Sequence, residues 1–104
     1  MNKYGAKKVK TLDGQDFDSQ KECHRYGVLR LLERAGRIKD LQRQVSFELI
    51  PKQDGERACS YIADFTYYEN GNYVVEDCKG YKTDVYKLKK KLMLWRHGIK
   101  IKET

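Results

Sequence analysis

Asp64, Asp77 and Lys79 are the residues whose types and spacing could do chemistry, and a turn between them decides how they meet. Two β-rich segments, Tyr61 to Tyr68 and Tyr73 to Lys79, flank Glu69-Asn70-Gly71-Asn72. Asn-Gly in that setting is the strongest short-range hairpin signal. With Asn70 and Gly71 central in a type I′ turn, Glu69 pairs with Asn72 and Tyr68 with Tyr73. The same register sets Val75 opposite Thr66, Asp77 opposite Asp64, and Lys79 opposite Ile62. Strand side chains alternate, so Asp64, Asp77 and Lys79 share one face, and Glu76 points to the other, opposite Phe65. Carboxylates about 5 Å apart repel each other. A divalent cation between them turns repulsion into a binding site, because Mg²⁺ takes one or two carboxylates with waters and phosphate oxygens. Two acids, a metal and a lysine suit phosphodiester hydrolysis. The metal polarises the phosphate and lowers the pKa of a water, while the lysine orients that water or stabilises developing charge. A bulged turn would slip the register by one. The plainer alternative is a strand end facing solvent, with Lys79 simply paired to Asp77.

The elements that must position these residues are legible on either side. Asp13-Gly14 predicts a hairpin turn between Lys8–Leu12 and Gln15–Phe17. A helix is expected from Asp18 or Ser19. Ser19-Gln20-Lys21-Glu22 has the form of a capping box, Gly36 offers the C-terminal stop, and Tyr26, Leu29, Leu32 and Ala35 recur at helical spacing. Val45, Phe47 and Leu49 alternate with polar residues in a strand that ends at Pro51. After the central hairpin, Thr83 or Asp84 caps a second helix. There Val85, Leu88, Leu92 and Trp95 form an apolar stripe, with Lys87, Lys90 and Lys91 mostly off it. Met93 and Leu94 broaden that apolar side, which fits burial against a sheet or a second subunit. Gly98 stops the helix, and Ile99 and Ile101 alternate in a short last strand. The order is a hairpin, then α-β-β-β-α-β, which predicts an α/β (α+β) fold with a mixed sheet flanked by helices.

Length and charge bound the function. A chain of 104 residues suits one domain spanning 1–104, with 1–18 as an N-terminal hairpin extension. Residues 1–78 carry 13 basic and 13 acidic side chains, whereas residues 79–104 carry nine basic ones against Asp84 and Glu103. The surplus of +7 therefore belongs to the last quarter. Charge alone leaves nucleic acid, an acidic protein partner and a solvated helix face open. No apolar run approaches the ~20 residues that span a bilayer, so no membrane association is expected. Cys23, Cys59 and Cys78 are odd in number and widely spaced, which fits a reducing, cytoplasmic compartment. No CxxC occurs and His24 and His97 are far apart, so no zinc site is expected.

Asp64 … Asp77-Cys78-Lys79, following a helix that carries Glu22, resembles the PD-(D/E)XK nuclease superfamily, whose restriction-endonuclease-like core is α-β-β-β-α-β. More closely, three segments resemble a family of small phage-encoded proteins: Phe17-Asp18-Ser19-Gln20-Lys21-Glu22, Tyr61-Ile62-Ala63-Asp64-Phe65, and Val75-Glu76-Asp77-Cys78-Lys79-Gly80. Tyr86-Lys87-Leu88-Lys89-Lys90-Lys91 continues the likeness, which runs from about Tyr4 to Ile101. That family is described as nuclease-like and related to the phage endonuclease that resolves four-way (Holliday) DNA junctions. The resemblance implies Asp64 and Asp77 as metal-binding carboxylates and Lys79 as the catalytic lysine. It implies that Glu22 approaches the metal, directly or through water, although closing a capping box with Ser19 is a sufficient role for Glu22. Two positions depart from the pattern: Ala63 stands where a proline is expected, and Cys78 where a β-branched residue is expected.

On this reading the cofactor is Mg²⁺, with Mn²⁺ able to substitute, and the partner is branched or duplex DNA. Lys82, Lys87, Lys90 and Lys91 hold phosphates near the metal. Tyr81 and Tyr86 could stack on a base or sugar, although tyrosines near sheet ends more often pack. A junction-cutting enzyme needs two active sites, hence a homodimer. The expected activity is a metal-dependent, structure-selective or nicking endonuclease from a phage, acting in the host cytoplasm. Alternatives are a sequence- or mismatch-directed repair nuclease and a catalytically silent nuclease-fold binding module.

Overall fold

The computed structural model describes residues 9–10, 16–17 and 19–104. Two short strands, β1 (Val9–Lys10) and β2 (Asp16–Phe17), pair antiparallel with Val9 opposite Phe17. The Asp13-Gly14 turn expected between them lies outside the described residues. Next come α1 (Gln20–Arg34), β3 (Lys39–Ile50), β4 (Cys59–Glu69), β5 (Asn72–Asp77), α2 (Asp84–His97) and β6 (Lys102–Glu103). The last four strands form one mixed sheet in the order β3-β4-β5-β6, antiparallel except for the β5–β6 pair. The fold is α+β with the expected α-β-β-β-α-β core.

Local chemistry explains the boundaries. Ser19 Oγ caps α1 by accepting from the Glu22 amide. Gly36, left-handed at φ +76°, closes the helix: its own N–H bonds back to Glu33 and that of Arg37 to Leu32. Thr83 caps α2 through the Tyr86 amide, and Gly98 at φ +67° stops it. Asn70 and Gly71, at φ +52° and +78°, make the type I′ turn. The ladder above it then runs from Glu69–Asn72 to Phe65–Glu76 in the expected register.

The helices cover opposite faces of the sheet. Leu29, Ile38, Phe65 and Tyr67 pack with Phe17 and Tyr26 on the α1 side, and Leu49, Tyr61, Ala63, Val75 and Ile101 pack with Tyr86 and Met93 on the α2 side. Each such side chain contributes roughly 1.5–3 kcal/mol when fully buried. Tyr61 and Ala63 thus serve one core and Phe65 and Tyr67 the other, although alternation would keep all four on one side. The face changes at Asp64. Gln44 on β3 stands across from it, between the pairs Arg43–Phe65 and Val45–Ala63, and is left-handed at φ +54°. β3 reverses there too: Leu41 packs toward α1, whereas Phe47 and Leu49 pack toward α2.

Three expectations need correction. β3 begins at Lys39, six residues before Val45, because β4 is long enough to pair along all of it. The last strand forms at Lys102–Glu103 rather than Ile99–Ile101; those isoleucines pack into the α2 core instead. Most consequential is the rotation of α2. Its buried side chains are Tyr86 and Met93, while Val85, Leu88 and Trp95 of the apolar stripe are exposed. Ala35 is likewise exposed at the C-cap of α1.

Candidate active site

Glu22 from the first turn of α1, Gln44 from β3, Asp64 from β4, and Asp77 with Lys79 at the end of β5 form the site. Ser19 and Glu22 make only half of a capping box. The Glu22 amide bonds to Ser19, but its carboxylate turns toward the sheet, where Oε1 accepts from Gln44 Nε2 at 3.3 Å. Glu22 is buried, and its Oε2 has no hydrogen-bond partner. The serine suffices as the cap, leaving this carboxylate available to the site.

Asp64 stands where the sheet changes face, one step beyond the last β4–β5 pair. Its Oδ2 accepts from the backbone N–H of Cys78 at 2.8 Å, so a side chain takes over where the ladder stops. Burial pushes the Asp64 carboxyl up to about 6; hydrogen bonding to Asp77 lowers it and the Glu22 carboxyl group raises it. Asp77 is 1 % exposed. Its Oδ2 accepts from the Tyr61 hydroxyl at 2.6 Å. Its Oδ1 is buried with no hydrogen-bond partner, and Lys79 Nζ lies 3.6 Å away. Burial, then the Asp64 carboxylate, pushes Asp77 up to about 7, against Tyr61 and Lys79, which pull it down. Groups coupled in this way titrate as a pair, and both carboxyls are raised above the ordinary range.

The structure brings together Glu22, Asp64, Asp77 and Lys79. Lys79 does not pair with Ile62, because β5 ends at Asp77; Ile62 faces Ser46 instead. Lys79 reaches Asp77 from just past the strand, with its ammonium 4.9 Å from the centre of the Tyr86 ring. A half-desolvated cation over an aromatic face gains about 1 kcal/mol and is held in place. Tyr86 is buried and its hydroxyl donates to Glu103, so it packs rather than presenting a stacking surface; Tyr81 is exposed.

Of the four lysines expected to hold phosphates, Lys82 and Lys90 both pair with Glu103, at 3.3 and 3.0 Å. The Tyr86 hydroxyl and then Lys90 draw Glu103 down to about 2. Lys87 and Lys91 lie exposed on α2. Gln44 and Tyr61 escaped the sequence reading. Tyr61 lies in an ordinary strand pattern, and Gln44 acquires its role only where two strands reverse face together. Cys78 contacts Thr104, and burial pushes its thiol up to about 11, which keeps it protonated; all three cysteines are free thiols.

Among the described residues, no three His, Cys, Asp or Glu side chains are set to hold a metal ion together. The donors present fit a hard cation in a sparser form. Asp64 and Asp77 offer oxygen alone, one of those oxygens lacks any donor, and Mg²⁺ takes one or two carboxylates and fills the rest of its shell with water. Among the described residues, no helix is long and apolar enough to cross a membrane.

A family model described as "Protein of unknown function (DUF1064)" matches residues 1–102. No curated protein and no solved structure matches the chain.

Proposed function

The chain belongs to the DUF1064 family, and we propose that it is a divalent-metal-dependent, phage-type DNA endonuclease that hydrolyses phosphodiester bonds. Branched DNA such as a four-way junction, or a duplex that the enzyme nicks, is the expected substrate. The observation that carries this reading is the buried Asp77 beside the half-buried Asp64, with one Asp77 oxygen lacking a hydrogen-bond donor and the Lys79 ammonium 3.6 Å from it. A folded protein rarely buries a carboxylate against a second one without a use for their charge.

When bound, Mg²⁺ supplies Lewis-acid polarisation of the phosphate and acidifies a water. Asp64 and Asp77 supply the negative charge that holds it, and the Tyr61 hydrogen bond fixes the rotation of the Asp77 carboxylate so that Oδ1 faces the site. Lys79, steadied on Tyr86, stabilises the charge that grows on the phosphate oxygens. Glu22, held by Gln44, orients the attacking water. Lys87 and Lys91 add phosphate contacts that position DNA without reading its sequence.

The test is a cleavage panel of four-way junction, flap, single-stranded and duplex DNA with Mg²⁺, Mn²⁺ or EDTA, run beside Asp77→Asn. Branched DNA is expected to be cut with either metal, and the rate to fall at least roughly a hundredfold in EDTA or in the variant. Cleavage that survives both would overturn the reading. DNA binding without cleavage of any substrate would replace it with a silent nuclease-fold binding module.

A further inference from the structure

The outward rotation of α2 leaves a feature that the proposed chemistry does not use. Val85, Leu88, Leu92 and Trp95 are spaced 3-4-3, the spacing of a and d positions in a heptad seam. Trp95 is 79 % exposed, Val85 63 % and Leu88 58 %; Leu92 divides its surface between the seam and the core. The helix is anchored from its other side, by Tyr86 and Met93 in the core, by Lys90 on Glu103, and by Arg96 and His97 on Glu48. A contiguous exposed apolar stripe on a small, strongly charged protein marks an interaction surface.

Its width and its flanks identify the occupant. Four side chains at a and d make a seam one helix wide, narrower than the face an interfacial membrane helix presents. The flanking e and g positions are Asp84, Lys89, Lys91 and Arg96, three cations against one carboxylate, with Lys87 adding a further charge on the exposed side of the helix. Arg96 is committed to Glu48, whereas no ion pair joins Lys87, Lys89 or Lys91 to another described residue. A second copy of α2 would bring Lys89 and Lys91 of each helix together with Asp84 alone to offset them, which disfavours a homodimer through this face. The chain's own first eight residues carry Lys3, Lys7 and Lys8 and no carboxylate, so they are mismatched in the same way. We propose that the Val85–Leu88–Leu92–Trp95 seam docks an acidic amphipathic α-helix of a partner protein. Apolar residues of that helix fill the seam, and its glutamates or aspartates meet Lys89 and Lys91.

The seam carries its own reporter, because Trp95 is the chain's single tryptophan. Trp95 emission is followed while the full chain is titrated with a synthetic helix bearing leucine at a and d and glutamate at e and g. A matched peptide with lysine at e and g is the control. The acidic peptide is expected to shift the emission to the blue, saturably, and the lysine peptide to leave it unchanged. Leu88→Asp, a change on an exposed side chain, should weaken binding by roughly tenfold or more with the circular dichroism unaltered. The double reversal Lys89→Glu/Lys91→Glu should swap the preference to the lysine peptide. No shift with the acidic peptide, or equal shifts with both, overturns the proposal. So does a concentration-dependent shift without peptide, which would mean a second copy, or a shift with anionic vesicles and not with peptide.

Discussion

Glu76 and Asp77 are consecutive in β5 and equally buried, at 0 % and 1 % exposure, yet the chain treats their charges in opposite ways. Glu76 faces α1, where Arg25 grips both of its oxygens, at 2.7 and 2.9 Å, and the hydroxyls of Tyr67 and Thr104 complete the set. Asp77 faces α2 with one hydroxyl, a lysine beyond hydrogen-bonding distance and a second carboxylate against it. The Arg25 and Tyr67 hydrogen bonds overcome desolvation and hold Glu76 below the usual carboxylate range, while burial and Asp64 push Asp77 up to about 7. One face of the strand has completed its electrostatics, and the other has left them to be completed by something bound. That asymmetry separates a carboxylate kept for structure from one kept for chemistry.

Removing the partner of the finished carboxylate should have the largest effect. Arg25→Met preserves much of the side chain's packing on α1 but leaves Glu76 charged in the interior with hydroxyls alone. The expected loss is about 3–5 kcal/mol by urea denaturation at pH 7. A loss below about 1 kcal/mol would mean that Glu76 is solvated in a way its burial denies.

The unfinished carboxylate should give the opposite sign. Asp77→Asn removes the repulsion from Asp64 and keeps an oxygen for the Tyr61 hydroxyl, so the metal-free protein should gain on the order of 2 kcal/mol at pH 8. The pH dependence sharpens the contrast. Below about pH 4 both the folded and unfolded chain hold the Asp77 proton, and the group contributes nothing. As pH rises from about 4 to 7 the folded state keeps a proton that the unfolded state releases, so stability falls across this window and levels off once Asp77 has titrated near 7. Glu76 runs the other way: its contribution is full above the ordinary glutamate range and is lost as pH falls through its lowered folded value. Wild type minus Asp77→Asn should therefore grow more negative between pH 4 and 8, and millimolar Mg²⁺ should narrow the gap. A difference that is flat with pH would show that burial and Asp64 do not raise Asp77 in the folded chain.

How much of this was readable beforehand follows from the range of the forces involved. The register that brings Asp64 toward Asp77 is local, since Asn70 and Gly71 dictate a turn of one hand and the pairs follow from it as far as Phe65–Glu76; past that point the ladder stops and Lys79 goes its own way. Ser19, Gly36, Thr83 and Gly98 mark helix ends for equally local reasons. The orientation of α2 is not local. Its best apolar stripe looked like the buried side, but Tyr86 and Met93 turn the helix over because Ile101 and Glu103, from a later segment, wait beneath it. The site is likewise only partly a matter of spacing. Asp77 and Lys79 announce themselves two residues apart, whereas the place of Glu22 depends on a glutamine that carries no motif.

That glutamine allows the finest test of the comparison, because Gln44 spends stability where Glu76 gains it. A non-glycine residue at φ +54° costs roughly 1 kcal/mol, and the hydrogen bond to Glu22 at 3.3 Å returns roughly 0.5–1 kcal/mol. Gln44→Ala keeps the strained backbone and loses the bond, so it should be about 1 kcal/mol less stable than wild type. Gln44→Gly loses the bond but also the strain, and should lie within roughly 0.5 kcal/mol of wild type. Cleavage should fall by a similar factor in both, since each leaves Glu22 without its support, with the loss in kcat rather than KM. If activity tracked stability instead, with glycine active and alanine not, the role of Gln44 would be to shape the strand and not to aim Glu22. Equal stability of all three proteins would remove the strain from the account altogether, leaving the change of face at Asp64 as a cost-free feature of the sheet.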